Sequence, residues 1–305
     1  MIPPRPNLRR PDPQLTKARA FICTHLIPSR PNLGGRSLVS PKALAFTGMT
    51  ALDGYTSEQL TFESRTKTVY RKGTGPAVIV MSEIPGITPA VIRFADAVVA
   101  AGFTVLMPHL FGEDGHEHTQ KQVAKVSLQV CISREFTMFA TGKSSPIVSW
   151  LRKLANHAHS ECGGPGVGAI GMCMTGGFAL GMLVENAVIA PVMSQPSIPV
   201  ALGPLRKSRA EHIDVSEADL RIITQRLAAE PDLCVKAYRF TQDPLVPEDR
   251  FTYLEKLLGT GRFIGRSFDS SAKTDHSVLT ESLQQAALDE VLDFFRKRLA
   301  PTASN

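Results

Sequence analysis

The 305-residue chain is 43% hydrophobic with a formal net charge of +6, long and apolar enough for one large domain with a sizeable core. Residues 1–48 hold eight Lys or Arg against the single acid Asp12, so that stretch carries +7 and the remainder −1. A near-neutral body removes the electrostatic basis for a nucleic-acid partner. No stretch has the apolar length of a membrane span or the core of a secretory signal.

The first 48 residues are rich in Pro and Arg, as in Pro3-Pro4-Arg5-Pro6. They lack apolar periodicity and are expected to form a poorly ordered basic leader ahead of one domain over 49–300. Met49 could serve as a second start. Five cysteines, Cys23, Cys131, Cys162, Cys173 and Cys234, are an odd number without a CxxC pair. That usage predicts a reduced, cytoplasmic protein.

Alternation from Thr61 through Thr68, Val69 and Tyr70 predicts an entering strand, and the apolar run Ala77 to Met81 predicts a strand buried on both faces. A helix over Pro89–Ala101 and a strand over Phe103–Met107 complete a βαβ unit. The polar joint 108–122 carries His109, Glu113, Asp114, His116 and His118, whose spacing matches no metal motif. A charged loop without metal is expected there. Helices follow over Val123–Phe139 and Ser145–His159.

Val167 to Ile170 is a short apolar run that breaks at Gly171-Met172-Cys173-Met174-Thr175-Gly176-Gly177 and resumes as an apolar helix from Phe178 to Val184. Strand, sharp turn and helix suit a nucleophile elbow: a small residue two before the cysteine lets the turn close, and the helix places its positive end behind the sulfur. A strand over Ala187–Pro191 comes next, and Pro199–His212 is a basic excursion that could cap a pocket or lie on the surface. Ser216 then opens a helix through Leu220, Ile223 and Leu227. Strand Cys234–Phe240, helix Glu248–Leu258, strand Phe263–Phe268 and helix Leu283–Leu299 complete the chain, the last with Leu283 on its packing face. The alternation predicts a doubly wound, mostly parallel α/β sheet flanked by helices.

Cys173, Asp243 and His276 each follow a predicted strand, in the nucleophile–acid–histidine chain order of α/β-hydrolases. His276 would take the thiol proton and Asp243 would orient the ring. Asp249 and Asp269 rival Asp243, and His25, His157, His159 and His212 are alternatives to His276.

Over about residues 52–299 the chain resembles the dienelactone hydrolase family of α/β-hydrolases. The resemblance is carried by Ala77 to Gly86, Gly102 to Pro108, Gly168 to Gly177, Phe240 to Pro247 and Asp275-His276-Ser277. It implies an α/β-hydrolase fold and a Cys173–His276–Asp243 triad acting on a small-molecule ester or lactone. Such thiol chemistry needs no cofactor, and the charge and hydropathy above lead us to expect no nucleic-acid or membrane partner. A monomer and a weak homodimer both remain open. The resemblance adds Glu83 as a carboxylate engaged in the cysteine's resting and activated arrangements, and the backbone N–H groups of Ile84 and Met174 as the oxyanion hole. Two positions depart from the family: Thr175 stands where glycine is usual, and Thr280 where an arginine would hold a substrate carboxylate. Arg134, Arg206 and Arg209 are candidates to supply the missing charge. The competing reading is a binding or regulatory protein on an altered hydrolase scaffold.

Overall fold

The computed structural model describes residues 52–132, 144–201, 206–272 and 274–300. The expected leader and Arg134 lie outside them. Eight strands form one sheet in the order β1-β2-β4-β3-β5-β6-β7-β8. They are β1 Thr56–Phe62, β2 Arg65–Lys72, β3 Ala77–Met81, β4 Thr104–Pro108, β5 Val167–Met172, β6 Val188–Ser194, β7 Val235–Phe240 and β8 Phe263–Phe268. From β4 through β8 every pairing is parallel; only β1 with β2 and β2 with β4 are antiparallel. This is the α/β-hydrolase architecture.

The apolar runs explain the layering. Successive side chains of a strand point to opposite faces, so Ile79 and Met81 join one core while Val78 and Val80 join the other. On the first face pack α3 (Pro146–Cys162), α4 (Gly176–Met182), α6 (Glu217–Ala229) and α7 (Glu248–Leu258). Helix α1 (Pro89–Ala100) and the terminal α8 (Gln285–Leu299) cover the second. The remaining helices are α2 (Gln120–Ile132) and α5 (Arg206–Ala210). Thr88 caps α1 by accepting from the Val91 N–H at 3.3 Å, and Ser216 caps α6 by accepting from Asp219 N–H at 3.1 Å. None of the helices among the described residues is long and apolar enough to cross a membrane.

Three expectations need correction. The single entering strand is a hairpin, β1 and β2, turning at Glu63 and Ser64 with φ of 50° and 63°. Positive φ at both central residues gives the twist that hairpins favour, but glycine or asparagine usually marks such a turn. Strand β6 continues past Pro191 to Ser194. At Pro191 the strand is flanked by β5 alone, where Pro191 pairs with Ala169, because its ladder to β7 begins only at Val192, so the proline stands in a one-sided part of the strand. Leu283 lies before α8 and is 46% exposed, so it is not part of the helix's packing face.

Candidate active site

In the parallel part of the sheet the C-terminal strand ends share one rim. Glu83 follows β3 there, Cys173 follows β5, Asp243 follows β7 and His276 follows β8. The elbow begins at Cys173, whose φ of 53° is a conformation that non-glycine residues adopt rarely and at a cost. A single 3-10 turn, Cys173–Thr175, leads into α4. Gly171 is required here: a Cβ on it would come 2.0 Å from the Thr175 carbonyl oxygen. On Gly176 a Cβ would meet Pro196 Cα at 2.7 Å, so the elbow lies directly against the loop that follows β6.

Thr175 takes φ −83° and ψ −3°, a helical conformation open to any residue, so the elbow does not need glycine at this position. Its hydroxyl does work that glycine could not. Thr175 Oγ1 accepts from Met172 N–H at 2.8 Å and lies within donating distance of the carbonyls of Met172, Met81 and Ser82. The side chain thus ties the elbow to the end of β3, where Glu83 and Ile84 begin.

Asp243 is buried, and its Oδ2 lies 2.6 Å from His276 Nδ1, while Oδ1 accepts from Leu245 N–H at 2.9 Å. Its rivals Asp249 and Asp269 are exposed. Asp275 fixes the turn just before the histidine by accepting from the N–H groups of Ser271 and Ala272 at 2.7 and 2.9 Å. His276 Nε2 is buried, and no nitrogen or oxygen atom among the described residues bonds it. Cys173 is its neighbour there: the sulfur acts on the ring both by its charge and as a side-chain hydrogen-bond partner. Burial disfavours the imidazolium, but the charges of Cys173 and Asp243 and the hydrogen bonds to both outweigh it and raise the histidine well above its ordinary 6.5.

This shift has a definite sign. His276 binds its proton more tightly folded than unfolded, so its contribution to stability is complete below about 6.5 and fades as the pH rises through the raised value. A titration of the histidine resonances by NMR is expected to show the His276 ring protonated well above pH 6.5, and Asp243→Asn is expected to bring it down. A ring that titrates at or below 6.5 in the wild-type protein would refute this electrostatic description.

Glu83 is 5% exposed and accepts from three side chains: Gln195 Nε2 at 3.1 Å, Ser277 Oγ at 2.7 Å, and Thr280 Oγ1. Thr280 therefore spends its hydroxyl on Glu83. Among the proposed substitutes for the family arginine, Arg206 is exposed on α5, and Arg209 Nη1 donates to the Val200 carbonyl at 3.4 Å. His109 Nδ1 lies 2.6 Å from Asp114 Oδ2, which also accepts from Tyr70 Oη at 3.0 Å, so this pair knits the loop after β4 to β2.

Three residues at the site escaped sequence reasoning. Ser197 is fully buried with its Oγ 3.2 Å from Cys173 Sγ. Gln195, also fully buried, has φ of 35°, and its N–H donates to the Tyr238 carbonyl at 2.7 Å. Arg250 is fully buried and donates to the carbonyls of Pro196, Pro199, Arg209, His212 and Leu245, sewing the excursion after β6 onto α7. Burial lowers its guanidinium to about 10, partly offset by the charge of Asp243, which leaves it charged at neutral pH. The only available signal was position: Gln195 and Ser197 follow a strand end, whereas Arg250 sits within a helix and gave no sign of its role.

The sequence model of the dienelactone hydrolase family matches residues 65–237, more than half of the chain. The chain belongs to the dienelactone hydrolase family. Among solved structures, a Klebsiella pneumoniae protein classed as a dienelactone hydrolase superposes with a TM-score of 0.55 at 14% identity, covering 81% of this chain and 98% of that one. An esterase of Pyrococcus furiosus gives 0.52 at 13% identity, over 87% and 99% of the two chains. At these identities the likeness is one of fold. No curated protein matches. The family places the chain among ester-type hydrolases, and its matched segment spans the strand ends that bear Glu83 and Cys173 but stops before Asp243 and His276.

Proposed function

We propose that this dienelactone hydrolase family member hydrolyses small, neutral or weakly polar carboxylic esters or lactones through an acyl-Cys173 intermediate. The observation that supports it most is the convergence at the strand ends: Cys173 on a strained elbow, with His276 beside it and held at 2.6 Å by the buried Asp243. Cys173 Sγ attacks the substrate carbonyl carbon, and the carbonyl oxygen becomes an oxyanion stabilised by the N–H groups of Ile84 and Met174. As the tetrahedral species collapses, the C–O bond to the leaving alcohol breaks and protonated His276 gives that oxygen its proton. Neutral His276 then takes a proton from water, whose oxygen attacks the thioester. The acid departs and the sulfur is regenerated. Protein groups and water suffice for each step, so the proposal involves no cofactor.

The substrate class follows from Thr280. With its hydroxyl bonded to Glu83, that position offers a buried acidic environment where a carboxylate clamp would otherwise stand, and a second negative charge there would be poorly accommodated. Steady-state rates on matched aryl esters and lactones, with and without a carboxylate, test this. We expect kcat/KM for the neutral member of each pair to equal or exceed that of its charged partner. A tenfold or greater preference for the carboxylated compound would overturn the substrate assignment.

A further inference from the structure

Ser197 meets the proposed nucleophile at two points. Its backbone N–H donates to the Cys173 carbonyl at 3.0 Å, fixing the loop after β6 to the elbow, and its hydroxyl oxygen stands 3.2 Å from Cys173 Sγ. Both side chains are buried, Ser197 completely. Either atom of this pair can be the donor, and the two possibilities have opposite chemical consequences. A neutral thiol can donate to the hydroxyl, whereas an anionic sulfur can only accept.

The surroundings favour the second arrangement. The ionisable groups gathered here are His276, with Asp243 on its far side, Arg239 and Arg250 acting on Asp243, and Glu83 held by Gln195, Ser277 and Thr280. The sulfur thus has two neighbours, the Ser197 hydroxyl at 3.2 Å and the His276 ring, which it also meets as a side-chain hydrogen-bond partner. Building on the reading of Cys173 as nucleophile, we propose that Ser197 is a positioning residue: its Oγ–H donates to the Cys173 thiolate and fixes the sulfur beside the His276 ring. Glu83, with its carboxylate committed to three other side chains, is not the partner of the resting sulfur.

The test titrates the thiolate directly, through its ultraviolet absorbance, as the difference between each protein and its Cys173→Ala counterpart. This readout needs neither substrate nor access for a reagent. Removing a donor from an anion disfavours the anion, so Ser197→Ala is expected to move the transition to higher pH by about one unit, or roughly tenfold less thiolate at a given pH below it. Ser197→Thr keeps the hydroxyl and is expected to retain the wild-type curve, which also carries the test if the alanine variant does not fold. An unchanged curve in folded Ser197→Ala, a shift to lower pH, or a displaced curve in Ser197→Thr would overturn the proposal. Ester turnover measured alongside separates the two readings: Ser197→Ala should lower kcat several-fold with KM little changed. A shifted titration in a protein without any turnover would reject the hydrolase proposal while leaving the Ser197 contact intact.

Discussion

A Gly171→Ala variant is expected to lose both stability and activity. The added methyl would lie 2.0 Å from the Thr175 carbonyl oxygen, 2.6 Å from its carbon and 3.1 Å from Gly176 Cα. These are backbone atoms, so no side chain can swing aside. Nor can the strand retreat, because Gly171 is paired with Met81 on β3 and with Met193 on β6. Overpacking of this kind costs about 1–3 kcal/mol and sometimes more, and a reactive atom displaced by about 1 Å can lose roughly a hundredfold in rate. Gly177→Ala supplies the contrast. A Cβ there meets nothing closer than Ile213 Cδ1 at 3.6 Å, and alanine favours a helix over glycine by about 1 kcal/mol. Urea melts and ester turnover of the two variants should diverge sharply, with Gly177→Ala as stable as the parent or more so. Gly171→Ala with a parental melt and turnover within tenfold of wild type would show that the elbow does not need its glycine.

The same glycine shows what could be read from the sequence. Gly171-x-Cys173 between an apolar strand and an apolar helix is a local pattern, and the steric demand behind it is local too. Strand β3 was legible for a related reason, since an unbroken apolar run is what burial on both faces requires. Helix α7 and strand β8 fall on the residues their patterns predict. The hairpin at Glu63-Ser64 was hidden because its left-handed residues are neither glycine nor asparagine, and the surrounding sheet, not local preference, holds them there. Beyond Pro191 the β6 strand was hidden because the cost of a proline depends on where its neighbour's ladder begins, which is a tertiary fact.

The candidate site divides along the same line. Strand-end placement and chain order bring Cys173, Asp243 and His276 into consideration, and the structure puts Asp243 and His276 in contact while leaving Asp249 and Asp269 on the surface. Thr175 and Thr280 were visible as departures from a family pattern, but what each hydroxyl does depends on carbonyls and carboxylates distant in sequence, Thr280 lying 197 positions from Glu83. Ser197 and Gln195 lie in a loop, which has no periodicity to reveal the neighbour it will meet, and Arg250, though on α7, owes its role to the loop carbonyls that converge on it.

The central claim is that acyl transfer passes through Cys173, and its removal should have the largest effect of any substitution. Alanine at this position leaves the Asp243–His276 pair, the backbone donors and the buried core in place, so the protein should fold. Without a nucleophile, only positioning and oxyanion stabilisation remain. Turnover in Cys173→Ala is therefore expected to fall by about four orders of magnitude or more, the scale seen when a hydrolase triad loses its nucleophile. The most direct measurement is the intact mass of wild-type and Cys173→Ala protein mixed with a neutral aryl ester whose thioester hydrolyses slowly. The account predicts one added acyl group on the wild type, mapped by fragmentation to Cys173, released with time and absent from the variant. An acyl group mapped to another residue, or Cys173→Ala turning over esters at the wild-type rate, would contradict it.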